Sequence, residues 1–224
     1  GHWLRAIPTP ALGLKLTNEE CRLAVCLRVH ARVCSPHTCV CGSPSDQLGH
    51  HALSCPVGPY RTARHHAINA VVKRALGSAQ IPAVIEPPGL SRSDGKRPDG
   101  LTLSPWVNGK CAVWDVAVVN TVCPTHLPKS VSRAAGAADD TAQRKRHKYA
   151  ELEKDYIFVP LILETLGAWT ASGMEFIKKI GAAQVVNSGD LLSTDYLFQR
   201  LSIALQRGNS KCLQSSFGAN YVTS

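Results

Sequence analysis

A single carboxylate inside an otherwise apolar run is the feature that most constrains what this chain can fold into. Asp115 interrupts residues 112–119, whose other side chains are all Ala, Val or Trp. A run of this kind, rich in β-branched residues, is typical of a buried strand. An unpaired carboxylate in a buried strand is costly, and the chain holds only 16 Asp plus Glu against 25 Lys plus Arg. We therefore expect Asp115 to have a chemical role.

A second acidic residue, Asp99, precedes this strand across a hairpin signal, Asn108-Gly109. A two-residue turn there would put Asp115 opposite Thr102, with Asp99 on the other face. A three-residue loop ending at Gly109 would put Asp115 opposite Leu101. Asp99 would then be a same-face diagonal neighbour, roughly 7–8 Å away. A Mg²⁺ site shared by the two carboxylates requires this second geometry; an ordinary Asp-Gly turn at Asp99 is the alternative.

The basic group expected at such a site comes from a later helix. Lys145, Lys148 and Tyr149 lie near one face of a helix predicted over residues 134–154. A lysine at a phosphate site orients water and neutralises the charge of the transition state. Either lysine fits this role, and a solvated charged helix face is the alternative.

The remaining pattern predicts one α/β domain behind a small N-terminal region. Thr17 and Glu20 form a capping-box pattern at the first helix. Helices are predicted over 17–33, 60–77, 134–154, 171–184 and 191–209, and strands over 83–86, 101–106, 111–120 and 156–164. This order predicts a mixed sheet flanked by helices. A Pro/Gly segment divides a helical lead-in with a Cys/His knuckle, residues 1–58, from the main domain, residues 59–224.

The charge of the chain favours a polyanionic partner. The net charge is +9 and the pI is about 9.2, which makes nucleic acid the commonest partner, although a solvated basic surface is the alternative. The candidate contacts to a nucleic-acid backbone are Arg61, Arg64, Lys73, Arg74, Arg144 and Arg146. No apolar run approaches the roughly 20 residues of a membrane span. The first residue is Gly1 rather than Met, no signal peptide is recognisable, and we expect a piece of a longer polypeptide.

The nine cysteines indicate metal binding rather than disulfides. Their count is odd and several lie among histidines near the N-terminus, a pattern typical of a reducing compartment. Thiolates and imidazole in this spacing suit a structural Zn²⁺. The candidate ligands are Cys39, Cys41, His51 and Cys55, with His50, His37 and Cys34 as rivals. A cluster of thiols without metal is the alternative.

Several motifs together resemble one known family. They are Glu86-Pro87, Lys96-Arg97-Pro98-Asp99, Asp115-Val116-x-Val118-Val119 and Lys145-x-x-Lys148-Tyr149. In this order they resemble the restriction-like endonuclease of site-specific non-LTR retrotransposons. That domain is a PD-(D/E)xK nuclease at the carboxyl end of a reverse transcriptase, preceded by a Cys-Cys-His-Cys zinc knuckle. The resemblance spans about residues 34–166, and Arg64-His65 with Asn69 adds to it.

The resemblance implies a Mg²⁺-dependent endonuclease that nicks target DNA, so that the free 3′-hydroxyl primes reverse transcription. Asp99 and Asp115 would bind Mg²⁺, Glu86 would be a further acid, and Lys145 or Lys148 would be the catalytic lysine. The general pattern has its lysine two residues after the second acid, where this chain has Ala117. The implied contacts to nucleic acid are Arg64, His65, Lys96, Arg97, Arg144 and Tyr149.

The same resemblance implies the partners and the location. The partners would be target DNA, element RNA and an upstream reverse transcriptase domain, with no membrane, and the location would be the nucleus. A catalytically inactive nucleic-acid-binding module, gripping its ligand with the zinc knuckle, is the first alternative. A host-recruited junction or repair nuclease of the same fold is the second.

Overall fold

The structure, a computed structural model, describes residues 1–90 and 97–218. Its α-helices are α1 (Asn18–Val29), α2 (Tyr60–Ser78), α3 (Leu127–Ser132), α4 (Gly136–Lys148), α5 (Ala171–Ser188) and α6 (Ser193–Ser215). Its strands are β1 (His37–Thr38), β2 (Pro44–Ser45), β3 (Ala83–Ile85), β4 (Gly100–Thr102), β5 (Ala112–Val119) and β6 (Ile157–Glu164). Short 3-10 helices cover His2–Arg5, Pro10–Leu12, Ala52–Ser54 and Ala150–Lys154.

The main sheet is mixed, as the sequence predicts. Its strand order is β3-β4-β5-β6. β3, β4 and β5 pair antiparallel, whereas β5 and β6 pair in parallel along their whole length. A parallel pair needs a crossover connection, and α3 and α4 supply it between β5 and β6. The chain is therefore a mixed α/β protein with helices on both faces of a four-stranded sheet.

Alternation along β5 decides which helix each side chain meets. Trp114 and Val116 belong to the main core with α2, α5 and α6. Ala117 and Val119 pack instead on the small side chains of α4. Asp115 shares the face of Ala117, so the sheet turns its carboxylate toward α4. Asp115 is 5% exposed, which agrees with the buried position that the apolar run predicts.

The Asn108-Gly109 turn forms as a two-residue turn, but it does not set the register of β4 with β5. Both residues have positive φ, 50° and 74°, as the primed hairpin turns require. Farther from the turn, the ladder is interrupted. The Ala112 N–H donates to the Thr102 hydroxyl at 2.9 Å, and Pro105 has no N–H to offer. The two segments that flank the turn therefore shift relative to each other before β4 and β5 pair.

The resulting register differs from both expected arrangements. Leu101 pairs with Val113 rather than with Asp115. One further step along the ladder brings Asp99 level with Asp115 and on the same face. The same-face relation that a shared metal site requires is present, but the connection that produces it is longer than a three-residue loop.

The helix predicted over residues 134–154 is not continuous. α3 ends at Ser132, α4 begins only at Gly136, and a 3-10 helix replaces its last turns after Lys148. Gly136 lies so close to α3 that a Cβ there would be 2.2 Å from the carbonyl oxygen of Lys129. At the other end the Tyr149 N–H is shared between two carbonyls, and the helix tightens. Lys145 is therefore in the last turn of α4.

The N-terminal region packs against the last helix. Leu23, Leu27 and Leu53 form a separate cluster with Leu213 of α6. A boundary between residues 58 and 59 stays a prediction. In the described part of the chain, no helix combines the length and the apolar character that a membrane crossing requires.

Candidate functional site

The Cys/His segment brings the four predicted zinc ligands together. The ligand atoms of Cys39, Cys41, His51 and Cys55 all lie within 4.8 Å of one another. The sulfurs of Cys39 and Cys55 are 3.7 Å apart, and Cys41 Sγ is 3.1 Å from His51 Nε2. Two sulfurs on a tetrahedral zinc, each about 2.3 Å from the metal, are about 3.8 Å apart. These four side chains could hold a metal ion, and their donor set is consistent with structural zinc.

A tight turn prepares two of the thiols. The Cys39 N–H donates to the Ser43 carbonyl, and Gly42 completes the turn with a φ of 82°. Hydrogen bonds with Ser43 lower the pKa of Cys41 to about 6, so this sulfur is a thiolate at neutral pH. Burial raises the pKa of Cys39 to about 11, so a metal must displace its proton.

The rival ligands have other partners. His37 Nε2 lies 2.8 Å from the Ser216 hydroxyl, and its ring stacks on Phe217. Cys34 Sγ donates to the Asp46 carbonyl at 3.5 Å. His50 contributes its carbonyl, which accepts a hydrogen bond from Asn120 at 2.8 Å. Of the two adjacent histidines, His51 is the one whose ring faces the thiols.

The second cluster is built around Asp99, at the start of β4. Its Oδ1 lies 3.0 Å from Nε2 of His65, and its Oδ2 accepts the backbone N–H of Val116 at 2.6 Å. Burial alone would raise the pKa of Asp99, but the His65 and Val116 contacts hold it below its usual value. Burial would likewise lower the pKa of His65, yet Asp99 raises it. The two groups therefore stabilise each other as an ion pair.

Asp115 lies beside Asp99 and is held by a lysine from α4. Lys145 Nζ is 2.6 Å from Asp115 Oδ2, and both side chains are largely buried. Burial and the nearby charge of Asp99 raise the pKa of Asp115 to about 6, although Lys145 opposes this shift. The lysine that contacts Asp115 therefore comes from α4, whereas position 117 is an alanine.

Lys145 is positioned by a buried acid at the other end of α4. Glu164, the last residue of β6, accepts the backbone N–H groups of Ala137 and Ala138 at 3.1 and 3.2 Å. A carboxylate at a helix N-terminus satisfies unpaired donors and stabilises the helix dipole. Glu164 therefore fixes α4 on the strand that neighbours Asp115.

Asn69 positions the backbone of Asp99 from the opposite side. Its Oδ1 accepts the indole N–H of Trp114 at 2.8 Å, and its Nδ2 lies 3.5 Å from the Asp99 carbonyl. Gly100 lets the strands approach, because a Cβ there would lie 2.0 Å from the Trp114 ring. His65 and Asn69 are one helical turn apart on α2, so a single helix face holds both ends of Asp99.

Glu86, the further acid expected at the site, pairs with Arg97 rather than with the carboxylate cluster. Both side chains of this ion pair are about half exposed. Its backbone N–H donates to the Asp99 carbonyl at 3.0 Å, so Glu86 supports the start of β4. Lys96, a predicted contact to nucleic acid, lies outside the described residues.

Two of the predicted contacts to nucleic acid, Arg64 and Tyr149, are buried in this structure. Arg64 is 2% exposed and donates to Asn209 and to the Leu53 carbonyl. Tyr149 is also 2% exposed, packs on Phe158 and donates to the Arg97 carbonyl. The sequence shows the polarity of these two side chains but not their packing.

The other predicted groups near α4 remain at the surface or close to it. Arg144 is exposed and forms an ion pair with Asp140 at 3.0 Å. The ammonium of Lys148 lies over the ring of Tyr149, 4.9 Å from its centroid. Lys145 is the one of the two candidate lysines for which a contact with Asp115 is seen.

A polar cleft of about 350 Å³ opens beside Asp99. Its walls are the first turns of α2, with Arg61, His65 and His66, and the edge of β5 at residues 116–118. β4 pairs with β5 only through Val113 and Trp114. The edge of β5 beyond Trp114 therefore faces this cleft.

Four contributors to this site have contacts that the sequence does not predict: His65, Asn69, Glu164 and the Val116 N–H. His65 and Asn69 lie four residues apart on one helix face, but that spacing does not indicate Asp99 as their shared partner. Glu164 ends an apolar strand much as Asp115 interrupts one, and the same reasoning would have singled it out. The Val116 N–H carries no sequence signal, because backbone donors are common to all residues.

Comparison of the chain with models of known protein families gives no match, and comparison with curated proteins gives none either. The function is therefore inferred from the residues of these two clusters.

Proposed function

We propose that this chain is a metal-dependent DNA endonuclease domain of the restriction-like PD-(D/E)xK fold, with a zinc knuckle. The observation that carries the proposal is the contact of Lys145 with Asp115 beside Asp99. Three elements, β4, β5 and α4, meet at this point. A buried acid pair with one lysine is the set of groups that phosphodiester hydrolysis needs.

The acid pair fits a divalent cation. Burial and, to a smaller extent, the charge of Asp99 raise the pKa of Asp115 to about 6, and a divalent cation bound to this acid would oppose both effects. Carboxylate oxygens are the ligands that hard cations prefer, and the edge of β5 adds backbone carbonyls nearby. Asp99 and Asp115 would hold Mg²⁺, which when bound polarises the phosphate and lowers the pKa of a bound water.

The side chains around the pair have distinct roles in this proposal. Lys145 neutralises charge on the phosphate and keeps Asp115 oriented. His65 fixes Asp99 through Oδ1, while the Val116 N–H fixes it through Oδ2. Glu86, which pairs with Arg97, supports the loop rather than the reacting atoms.

The substrate is DNA, and its backbone enters by the polar cleft. Arg61 and His66 line this cleft next to the carboxylates, and the net charge of +9 attracts a polyanion. A nick there would leave a 3′-hydroxyl for an upstream reverse transcriptase domain in the nucleus. Element RNA would be a further partner in that reaction.

Nicking of supercoiled plasmid tests the proposal. With Mg²⁺ the protein should convert plasmid to the open circle, and Asp115→Asn should lower the rate at least about 100-fold while DNA binding persists. Asp155→Asn is the matched control, because Asp155 is exposed and is not among the residues that line the cleft. Cleavage at the wild-type rate by Asp115→Asn would refute the site assignment.

A catalytically inactive nucleic-acid-binding module is the second candidate. It is favoured by the fact that His65, Val116 and Lys145 already engage the two carboxylates. In the described residues, moreover, the only group of three or more metal-type ligands is the Cys/His cluster. The same plasmid assay separates the candidates, since this module binds DNA without nicking it at any Mg²⁺ concentration.

A further inference from the structure

A second basic groove lies between α2 and α6. Its volume is about 300 Å³, and small apolar side chains such as Ala67, Ala70 and Ala204 form its floor. Basic side chains surround this floor: Arg74, Arg200, Arg207 and Lys211. None of the described residues that line the groove is acidic. Apart from Leu12 and Gly13, the residues of the groove come from α2 and α6, whereas those of the carboxylate cleft come from α2 and β5. Arg64 is the residue that lines both.

Two arginines of this groove, Arg74 and Arg200, lie close enough for their charges to interact, and no counter-ion of either is seen among the described residues. Burial lowers the pKa of Arg200, and the charge of Arg74 lowers it further. Within residues 1–90 and 97–218 no ion pair is seen for Arg74, Arg200 or Lys211. Arg207 differs, because it donates to the Lys15 carbonyl and lies 3.4 Å from Glu20. The unbalanced positive charge is therefore at Arg74, Arg200 and Lys211.

A buried donor without a partner lies in the wall of the same groove. Arg64 lines it and uses Nη1 and Nη2 on Asn209 and Leu53, but its Nε, which is fully buried, has no hydrogen-bond partner. Gly208 makes room for Arg64, since a Cβ there would be 2.3 Å from its Cγ. The groove thus combines an excess of cations with an unused N–H group.

The length and ends of the groove suit a polymer better than a small anion. From Tyr60 to Arg74 the wall rises by roughly 20 Å along α2. One DNA strand places a phosphate every 3.4 Å or so along a duplex, so a wall of this length meets several phosphates. At the far end Tyr60 is 38% exposed and offers a flat ring. Cations along a groove with an exposed aromatic are typical of sites for single strands.

We propose that the α2–α6 groove binds single-stranded nucleic acid, with phosphates on Arg74, Arg200 and Lys211 and a base on Tyr60. This site is separate from the metal-dependent chemistry and requires no divalent ion. It would hold a strand while the carboxylate cleft acts on another part of the nucleic acid.

Fluorescence anisotropy with a labelled 20-nucleotide oligo(dT), without added Mg²⁺, tests the groove. Arg74→Gln with Arg200→Gln should weaken binding about tenfold or more. The slope of log affinity against log salt should become shallower by about 1.4, because each phosphate contact on a single strand contributes about 0.7. Arg28→Gln with Arg32→Gln removes the same charge from exposed positions outside the groove and should change affinity less than twofold.

Three further variants distinguish a loss of binding from misfolding. Arg74→Gln with Lys211→Gln alters only exposed side chains and should also lose affinity. Tyr60→Leu should lose at least about fivefold, whereas Tyr60→Phe should retain binding. Equal losses in the groove pair and the control pair would overturn the proposal. The same holds if Arg74→Gln with Arg200→Gln weakens binding of a 20-base-pair duplex as much as it weakens binding of oligo(dT). Because no Mg²⁺ is present, failure here leaves the plasmid-nicking result independent.

Discussion

The surroundings of Asp115 disfavour the negative charge of its carboxylate. Burial and Asp99 disfavour the carboxylate, and only Lys145 compensates. Its pKa rises from 3.8 to about 6. Without divalent metal, the carboxyl of Asp115 is therefore neutral below about pH 6 in the folded protein, whereas it ionises near pH 4 in the unfolded chain. The free energy of unfolding consequently falls as the pH rises from about 4 to about 6.

Asp115→Asn should consequently become more stable relative to the wild type as the pH increases. The amide resembles the neutral acid, which is the main form of Asp115 in the folded protein at pH 4. The difference in free energy of unfolding between the two proteins at pH 4 is therefore the reference value. At pH 8 the free energy of unfolding of the variant should have gained on the order of 2–3 kcal/mol relative to the wild type. Urea unfolding at both pH values, without added Mg²⁺, measures this difference. An offset that is the same at pH 4 and pH 8 would refute the raised pKa.

Glu164→Gln isolates the charge at the start of α4. The amide oxygen can still accept one hydrogen bond, but the attraction of a carboxylate for the helix N-terminus is lost. We expect a loss of about 1 kcal/mol in the free energy of unfolding, together with weaker catalysis through Lys145. Glu175→Gln is the control, because that side chain is exposed and pairs only within α5. If both variants lose the same stability, Glu164 is not an anchor.

At the scale of elements, α2 connects the two sides of the molecule. His65 and Asn69 face the carboxylate site, whereas Arg64 packs into α6. The contact with α6 depends on Gly208, where a Cβ would overlap the Arg64 side chain. The close approach of these helices thus fixes α2, and through it the position of Asp99.

Gly208→Ala tests this helix contact. The added methyl must push Arg64 away, and overpacking of this kind typically costs about 1–3 kcal/mol. Thermal or urea unfolding should show that loss. Gly77→Ala, also in a helix but with open space around it, should be neutral or stabilising by up to about 1 kcal/mol. The helix contact would be unimportant if Gly208→Ala were as stable as Gly77→Ala.

The sequence predicts the positions of helices and strands better than it predicts how they pair and pack. The apolar runs locate β5 and β6, and the Thr17–Glu20 capping box forms as expected. The register of β4 could not be predicted, because the Thr102 hydroxyl accepts a hydrogen bond in place of a backbone carbonyl of the ladder. No sequence pattern indicates this change of acceptor. The break before Gly136 also depends on a tertiary contact with Lys129.

At the scale of the whole molecule, the zinc-type knuckle is joined to the end of α6. Cys39 and Cys55 are buried, the Val40 N–H donates to the Ser216 carbonyl, and Leu53 packs on Leu213. The knuckle ligands could be predicted from composition and spacing, since few residue types bind zinc. Its docking on α6 could not, because those partners are some 160 residues away in sequence.

Loss of the metal should therefore destabilise more than the knuckle. Chelation of zinc or Cys39→Ser should lower the melting temperature and expose the end of α6 to proteolysis, because ligand binding to the folded state stabilises it. Cys21→Ser is the matched control, since Cys21 is exposed and outside the cluster. Elemental analysis should find one zinc per chain in the control and less in Cys39→Ser. Unchanged zinc content and melting in Cys39→Ser would contradict the ligand assignment.

The pairing of Asp99 with Asp115 is tested most directly by anomalous scattering from crystals grown with Mn²⁺, which occupies the oxygen sites of Mg²⁺. We expect a manganese peak in contact with carboxylate oxygens of both Asp99 and Asp115, with Lys145 next to it, and no such peak in Asp115→Asn. A fully occupied manganese site elsewhere, with Lys145 and His65 still alone on the two carboxylates, would contradict the assignment of this pair as the metal centre.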